Sequence, residues 1–325
     1  MSAVFNSTLS QMLVMLLCMI IGFVLNKGGL LPNNSATVIS KLEQYIFVPA
    51  LTISTFMNYC TIQSLSEQYV LIIYSLIALA IALCISLPLS KAFAKKDEYK
   101  RSIYKYALTF GNFGFMGNAI VPAILGEQFL YPYMMFTIPL NVAVYTWGIM
   151  ILVPKGEEKQ SIFKSLLNPI FISLIIGAAL GLSGAANYLP NFALKTISYA
   201  KDCMAPLAMI LTGFVIGGYD IKGLLSDKKI YIATALRFFV FPAFFITVLY
   251  LGGSLIGTNK EALVLPLSLT LFAFATPLGL NTVVFPAAYG GDTKTGASMA
   301  MISHTLCVIS IPIMYALLTA ILNIL

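Results

Sequence analysis

The chain has 325 residues, of which 59% are apolar and only 10% are charged. Soluble proteins carry roughly 25% charged residues, so this composition predicts an integral membrane protein. At about 20 to 25 residues per transmembrane helix, the length allows roughly ten spans and leaves no room for a folded soluble domain. A receptor with a large ectodomain and most soluble enzymes are therefore excluded.

The net charge of +7 arises from 19 Lys and Arg against 12 acidic residues. Most of these cations lie in short segments between apolar runs, where positive charge orients a membrane protein against the cytoplasmic face. Their distribution predicts a multi-pass protein of the cell (plasma) membrane with both termini outside. The sequence has no basic face or stacking platform, so nucleic acid is not an expected partner.

Apolar runs separated by charged residues, Gly, Pro and Asn predict ten transmembrane spans. The first five lie near Leu9–Leu25, Ala36–Met57, Val70–Ser90, Ile103–Leu125 and Leu130–Val153. The second five lie near Leu166–Leu182, Ile197–Ile216, Tyr231–Ile256, Ala262–Tyr289 and Ala297–Leu322. A polar cytoplasmic joint at 154–165 separates a first five-helix repeat, 1–153, from a second, 166–325.

The two halves share landmarks in the same order along the chain. Pro32 corresponds to Pro190, and Pro122 corresponds to Pro286, at separations that differ by only a few residues. Such internal similarity predicts a duplication. Because each copy has an odd number of spans, the second copy must enter the membrane from the opposite side. This gives the inverted repeat that is common in secondary transporters.

Spans four and nine contain residues that form helices poorly. Span four has the stretch Gly111-Asn112-Phe113-Gly114-Phe115-Met116-Gly117-Asn118, followed by Pro122. Span nine has Thr276-Pro277-Leu278-Gly279-Leu280-Asn281, followed by Pro286. Glycine and proline disfavour the helix interior, and proline also removes a backbone donor. Unwound peptide in hydrocarbon requires protein, water or a ligand to satisfy it, so both stretches are candidate binding elements.

The matched positions predict that the two interruptions meet near the bilayer midplane. Half-helix N-termini there would present N–H groups to an anion, and carbonyl ends could hold a cation. Asparagine amides add hydrogen-bonding groups without burying a full charge. The candidate substrate-binding residues are Asn112, Gly114, Gly117, Asn118, Pro122, Pro277, Gly279, Asn281 and Pro286. The alternative is that Gly and Pro only kink two packed helices, with Asn in interhelical hydrogen bonds.

At these residues the sequence resembles the auxin efflux carrier family of membrane transporters. The resemblance in span four is carried by Asn112, Gly114, Phe115 and Gly117, and in span nine and its exit by Thr276-Pro277, Asn281, Tyr289-Gly290, Asp292 and Ala297-Ser298. Pro49 in span two and Pro206-Leu207 with Gly213 in span seven also fit. The chain departs from the family at Ala119, where the family usually has proline, and its own proline follows at Pro122. Its joint is also shorter than the long cytoplasmic loop of many plant members.

The resemblance implies an all-α integral membrane fold with crossed, broken helices four and nine, similar to that of bile acid symporters and NhaA. It implies a scaffold domain from spans 1, 2, 6 and 7, a transport domain from spans 3–5 and 8–10, and a homodimer through the scaffold helices. The implied activity is secondary active transport of a small organic anion, auxin-like or a dicarboxylate such as malate or malonate, by an elevator mechanism. No cofactor and no metal are expected.

Two further pairs of residues have alternative interpretations. Asn141 and Tyr145 lie on one face of span five at i and i+4, where they either line the cavity, as the resemblance allows, or make ordinary interhelical hydrogen bonds. Pro49 and Pro206 would loosen the helices opposite the crossing and are candidates for gating or site lining.

Three ionisable residues lie within or beside the predicted spans eight to ten. His304, the single histidine of the chain, suits proton coupling because imidazole titrates near neutral pH, or it is a neutral packed residue bonded to a hydroxyl or carbonyl. Arg237 lies about two turns inside span eight and is expected to snorkel to the interface rather than attract an anion. Asp292 is expected to cap the helix of span ten rather than relay protons.

The sequence is also compatible with functions other than transport. A non-transporting membrane sensor or an anion channel could use the same cavity, although a sensor would need an output domain that the sequence lacks. An enzyme is not expected, because there is a single His and no paired-carboxylate or Cys–His arrangement. An ATP-driven pump is not expected either, because the sequence has no P-loop. Neutral amides and helix ends discriminate charge sign better than carbon skeleton, so the sequence fixes neither the substrate, nor the direction of transport, nor the coupling ion.

Overall fold

The computed structural model describes residues 2–32, 34–154, 167–288 and 291–324. Within these ranges the regular structure is helical, apart from one isolated antiparallel bridge between Gly111 and Leu278. Six helices are long and apolar enough to cross a membrane, and two shorter apolar helices lie at Phe113–Leu125 and Pro169–Ser183. The architecture is therefore that of an all-helical membrane protein. Except for its first residue, the predicted joint at 154–165 lies outside the described ranges.

The helices of the first half cover the first five apolar runs. They are α1 (Ser2–Lys27), α2 (Ser35–Leu42), α3 (Val48–Tyr59), α4 (Ile62–Phe93), α5 (Glu98–Thr109), α6 (Asn118–Leu125), α7 (Leu130–Ala143) and α8 (Ile149–Leu152). Wide π-helical turns at Glu43–Phe47 and Val144–Gly148 join α2 to α3 and α7 to α8, so these helices continue. Span four is instead interrupted at residues 110–112, after which a π-helical turn, Phe113–Gly117, leads into α6.

The helices of the second half cover the remaining apolar runs. They are α9 (Pro169–Ser183), α10 (Asn191–Gly217), α11 (Ile221–Leu224), α12 (Lys228–Ala235), α13 (Phe241–Leu255), α14 (Lys260–Phe274), α15 (Asn281–Ala288) and α16 (Lys294–Ile324). A π-helical turn at Leu236–Val240 joins α12 to α13. Residues 275–280 separate α14 from α15, which is the predicted interruption of span nine. Asp292 accepts a hydrogen bond from the Lys294 N–H at 2.9 Å, so the predicted helix cap is confirmed.

The helices pack in two groups. In one, α1 lies along α10, and α3 packs against α9 and α10. The contact of α1 with α10 requires glycine, because a Cβ at Gly213 would collide with the Met19 carbonyl oxygen. In the other group, α4 packs on α5 and α7, α13 packs on α14, and α12 packs on α16. Helix α1 also lies along α16 and so joins the two groups.

The outer faces of the long helices carry large apolar side chains. On α1 these include Leu13, Leu17, Ile21 and Val24, each about half exposed in the isolated chain. A continuous apolar surface of this kind is unfavourable in water and favourable against lipid chains.

Candidate functional site

The two interrupted helices cross at their breaks. Gly111 and Leu278 face each other in an antiparallel bridge, and the Asn112 N–H donates to the Pro277 carbonyl at 2.8 Å. The Leu278 N–H donates to the Ser303 hydroxyl of α16 at 3.1 Å. Backbone groups released by each break therefore bind the other break or a neighbouring helix, as burial away from water demands. The crossing fixes the ends of four half-helices at one place.

Gly111 lies at the closest approach of the two chains. A Cβ at this position would collide with the Arg237 guanidinium and the Thr276 hydroxyl, and would lie 3.0 Å from the Thr276 carbonyl oxygen. Backbone contact at this distance leaves no room for a side chain. The glycine is thus required by the crossing itself.

Arg237 binds the carbonyl ends of both half-helices, so the prediction that it snorkels to the interface is wrong. Its side chain is fully buried, and its guanidinium donates to Leu108 and Thr109 at the end of α5 and to Ala273 at the end of α14, at 3.1 to 3.3 Å. It also lies over the Phe274 ring, 5.2 Å from its centre. The last carbonyls of a helix lack partners and carry partial negative charge, which attracts this buried cation more strongly than the interface does.

A cavity with a largely apolar lining and several neutral polar groups lies beside the crossing, on the side of the half-helix N-termini. Its volume, for the centres of water molecules, is about 60 Å³. Residues 111–115 and 279–281 contribute its backbone wall. The first N–H groups of a helix have no intrahelical partner, so this wall favours negative charge. None of the described residues that line the cavity is charged.

Three other elements complete the wall. Gln44, Val48, Thr52 and Phe56 recur at a spacing of four and present one face of the α2–α3 helix to the cavity. Helix α7 and the π-helical turn after it add a further set: Met134, Thr137, Ile138, Asn141, Val144 and Tyr145. Helix α9 adds three apolar residues near its start, including Phe171, whose ring meets that of Tyr145 edge to face at 6.2 Å. The cavity therefore lies between the two packing groups.

The structure brings seven of the eleven predicted substrate-binding residues to this cavity. They are Asn112, Gly114, Asn118, Asn141, Tyr145, Gly279 and Asn281. A Cβ at Gly114 would meet no atom within 4 Å, so that position opens directly into the space. The binding roles of these residues stay predictions.

The other four predicted residues do not line the cavity. Gly117 faces the Tyr133 phenol, and a Cβ there would collide with its oxygen. Pro122 lies inside α6, and Pro286 is buried inside α15. The carbonyl of Pro277 accepts the backbone bond from the opposite chain.

The two prolines predicted to gate or line the site lie elsewhere. Pro49 is buried at the start of α3, and Pro206 is exposed on α10. Neither proline lines the cavity, whereas Val48 and Thr52, which lie close to Pro49 in the chain, do. A site-lining role would require a different arrangement of both helices, and their gating role stays a prediction.

Two asparagines of the cavity direct their amide nitrogens into the protein. The Asn281 amide donates to the Tyr106 hydroxyl at 2.9 Å. The Asn112 amide lies 2.9 Å from Nε2 of His304, whose Nδ1 lies 2.8 Å from the Ala300 carbonyl oxygen. His304 is fully buried and bonded to a carbonyl, as in the packed interpretation, but its second partner is an amide of the cavity wall.

Sequence reasoning missed several residues of the site. Gln44 and Thr52 were not singled out, although polar residues at i and i+8 within an apolar helix indicate one inward face. Tyr106 and Thr137 carried no signal of their own, because a tyrosine or threonine in a span is compatible with many environments. Arg237 did carry a signal, since ionisable residues inside a span usually mark a functional element.

Comparison with known proteins identifies the family of this chain. The family described as "Membrane transport protein" matches the chain at residues 7–163 and again at 158–315. An uncharacterized transporter of Methanocaldococcus jannaschii is 27% identical over 301 residues, which cover 90% of this chain and 93% of the relative. The resemblance to auxin efflux carriers inferred from spans four and nine is confirmed. The chain thus belongs to the membrane transport protein family and is a multi-pass membrane transporter.

Proposed function

We propose that this protein is a secondary active transporter of a small organic anion. The observation that carries the proposal is the crossing of two interrupted helices beside a cavity whose described lining residues are uncharged and include asparagine amides. Helix N-termini and neutral amides can hold a carboxylate through hydrogen bonds and partial charges, without a permanent cation in the wall. The substrate class is auxin-like acids or dicarboxylates such as malate and malonate.

The size of the cavity favours a small ligand. One water needs about 10 to 15 Å³ of volume measured at its centre, so the 60 Å³ of this cavity hold only a few waters. A short mono- or dicarboxylate displaces a similar number. The apolar side chains of Phe56, Phe113 and Phe171 on the same wall would cover its carbon skeleton.

The proposed architecture is ten spans in two inverted five-helix repeats, joined by residues 154–165. The two family matches, of similar length and in tandem, support the repeat. The scaffold is formed by spans 1, 2, 6 and 7, and the transport domain by spans 3–5 and 8–10. The wall from α3 and α9 belongs to the scaffold, so movement of the crossing against it would carry the anion across the membrane in an elevator. Both termini lie outside the plasma membrane, and the scaffold helices form a homodimer.

The test is flux in proteoliposomes. Purified protein should exchange labelled malate, malonate or indole-3-acetate in a saturable way, with counterflow driven by unlabelled anion on the other side. Conductance without counterflow would instead identify an anion channel. Saturable ligand binding with no flux under any gradient would identify a membrane sensor, and the transporter proposal would be abandoned.

Matched asparagine variants test the position of the site. Asn112→Ala and Asn281→Ala each remove one amide from the cavity wall and should weaken anion binding by about tenfold or more, which corresponds to one lost hydrogen bond of about 1.5 kcal/mol. Asn58→Ala is the control, because Asn58 is exposed and donates to the Ser54 carbonyl away from the cavity. Equal anion affinity in all three variants, measured by calorimetry, would place the site elsewhere.

A further inference from the structure

We propose that His304 and Asn112 form a proton-linked switch that determines whether the cavity offers an anion a hydrogen-bond acceptor or a donor. The inference deepens the proposed function and rests on it, because Asn112 is part of the proposed anion site. It assigns a coupling ion, the proton, and a route by which the ion acts. Its basis is a chain of two hydrogen bonds that leads from the Ala300 carbonyl through the imidazole to the cavity wall.

The two bonds fix the state of the histidine. The Ala300 carbonyl can only accept a hydrogen bond, so Nδ1 of His304, 2.8 Å away, carries the proton. In the neutral ring Nε2 is then an acceptor, and the Asn112 group 2.9 Å from it must be the amide NH₂. The amide oxygen of Asn112 consequently points away from the histidine. Among the described residues no donor binds this oxygen, which belongs to a residue of the cavity wall.

Asn281 provides the contrast on the other side of the crossing. Its amide nitrogen binds the Tyr106 hydroxyl at 2.9 Å. A hydroxyl both donates and accepts, so the Asn281 amide can reverse and still keep a hydrogen bond. Neutral His304 offers Asn112 no such freedom, since its Nε2 can only accept. Asn281 is therefore free to turn its NH₂ group toward an anion, whereas Asn112 is held with its oxygen toward the anion.

Protonation of His304 releases this restraint. A proton taken from water in the cavity binds the Nε2 lone pair, and the imidazolium then donates at both nitrogens. Nε2–H must face an acceptor, so the Asn112 amide reverses and accepts through its oxygen. Its NH₂ group now faces the cavity and donates to a carboxylate. The proton leaves an O–H bond of a hydronium ion in the cavity water and forms the Nε2–H bond, and no other covalent bond changes. The positive charge gained by the ring offsets the negative charge of the bound anion.

The surroundings make the proton and the anion depend on each other. Helix α16, which carries His304, packs against α1, α5, α10, α11, α12, the 236–240 turn, α14 and α15. On these elements one charged side chain is fully buried among the described residues, Arg237, whose guanidinium contacts the same crossing. The buried titratable groups without charge at neutral pH are Tyr104 and Tyr106 on α5 and Cys307 on α16 itself. The remaining charged groups of these helices are exposed or half-buried.

Complete burial of the His304 ring disfavours a positive charge on it, because a charged ring loses the solvation that water would provide. The free site therefore favours the neutral ring, and a carboxylate in the cavity favours the imidazolium. By thermodynamic linkage the proton strengthens anion binding by the same factor as the anion strengthens proton binding. One proton then moves with each anion in the same direction, and is released when the anion leaves on the other side.

The first experiment measures the tautomer and hydrogen bonding of His304 in the absence of substrate. His304 is the only histidine of the chain, so protein with ¹⁵N-labelled histidine in lipid nanodiscs gives one imidazole signal pair that needs no assignment. At about pH 8 the wild type should show the neutral tautomer with hydrogen on Nδ1 and a hydrogen-bonded Nε2. Asn112→Ala should shift the Nε2 resonance toward that of an unbonded nitrogen. A ring with hydrogen on Nε2, or no response to Asn112→Ala, overturns the proposal.

The second experiment measures linkage with malate and indole-3-acetate as probes. Their carboxyl groups stay ionised between about pH 6.5 and 8.5, since carboxylic acids titrate near pH 4. In the wild type the Kd of the bound probe should rise about tenfold per pH unit above the midpoint of the histidine titration. His304→Gln should bind with a Kd that is flat with pH, because its amide can donate or accept without a proton. Asn281→Ala is the matched control and should bind more weakly with the wild-type pH slope.

The outcomes separate this proposal from the proposed function. If binding of a probe is linked to His304 but proteoliposomes show no flux, the switch is supported and the transporter proposal fails. If flux occurs and His304→Gln keeps the wild-type pH slope, the switch is overturned and the transporter proposal stands. A histidine signal that stays neutral from about pH 6.5 to 8.5 with saturating probe also overturns the switch.

Discussion

Replacement of Arg237 tests whether the crossing is held by a buried cation. Its guanidinium makes three hydrogen bonds of 3.1 to 3.3 Å to carbonyls at the ends of α5 and α14. A hydrogen bond to a charged group contributes about 1.5 to 3 kcal/mol, and the lengths here favour the lower limit. Arg237→Met removes all three and leaves the Leu108 and Thr109 carbonyls unpaired, whereas the Ala273 carbonyl keeps the Thr276 hydroxyl at 2.9 Å. Each unpaired buried carbonyl costs about 1 to 3 kcal/mol, so we expect a loss of about 4 kcal/mol in the free energy of unfolding.

Arg237→Lys refines the same prediction. Lysine keeps the charge, but its ammonium is a point donor without the planar fork that reaches two helices at once. It should recover part of the loss, leaving a deficit of about 2 kcal/mol. The assay is equilibrium unfolding by titration of sodium dodecyl sulfate into mixed micelles, followed by the circular dichroism of the helices.

Arg101 offers a matched control. It also donates to two carbonyls, of Ala94 and Lys95, but at the end of a helix where it is half-exposed. Water can replace those bonds, so Arg101→Met should cost less than about 1 kcal/mol. Equal losses for Arg101→Met and Arg237→Met, or an Arg237→Met protein as stable as the wild type, would refute the claim that the arginine secures the crossing.

Two further predictions concern a glycine pair and an ion pair. Gly111→Ala should destabilise the protein by about 2 to 3 kcal/mol, because its Cβ collides with Arg237. Gly114→Ala meets open space, so it should change stability by less than about 1 kcal/mol while it weakens anion binding. Equal melting curves for the two variants would contradict the steric argument. Burial alone would raise the pKa of Asp227, but hydrogen bonds from the Lys100 ammonium at 2.9 Å and from a backbone N–H, with the nearby lysine charges, hold its pKa below the ordinary value. The stability that ionised Asp227 contributes is therefore fully present above about pH 4 and is lost as pH falls through its lowered pKa. Asp227→Asn should remove this loss of stability in acid. A dependence of stability on pH between about pH 6 and 8 that disappears in Asp227→Asn would contradict the lowered pKa.

Much of the site could be predicted from local sequence. The interruptions at 110–112 and 275–280 lie within or beside the Gly-, Asn- and Pro-rich stretches, because those residues disfavour a helix wherever they stand. Correspondence between the two halves then predicted that the stretches meet, and the bridge at Gly111 and Leu278 confirms that contact. Asn112 and Asn281 lie in these stretches and line the cavity, and their interhelical hydrogen bonds, the alternative that the sequence left open, are present as well.

The direction of individual side chains could not be predicted in this way. The residues next to Arg237 in the sequence are apolar, which favours snorkelling. Its hydrogen-bond partners Leu108 and Ala273 lie 129 and 36 positions away in the chain. Only the approach of α5 and α14 brings their carbonyl ends within reach of one guanidinium. The same holds for His304, whose partner Asn112 is 192 positions away.

Composition and local sequence determined on their own that this protein is a membrane protein and that two of its apolar runs are interrupted. These properties depend on residues within a few turns of one another, so they can be read along the chain. The tertiary structure decided which groups meet at the interruptions: a buried arginine on the carbonyl ends, and a histidine that orients one asparagine of the cavity. Hydrogen-bond partners of this kind are selected by helix packing, which brings distant positions together and is not encoded in any one segment.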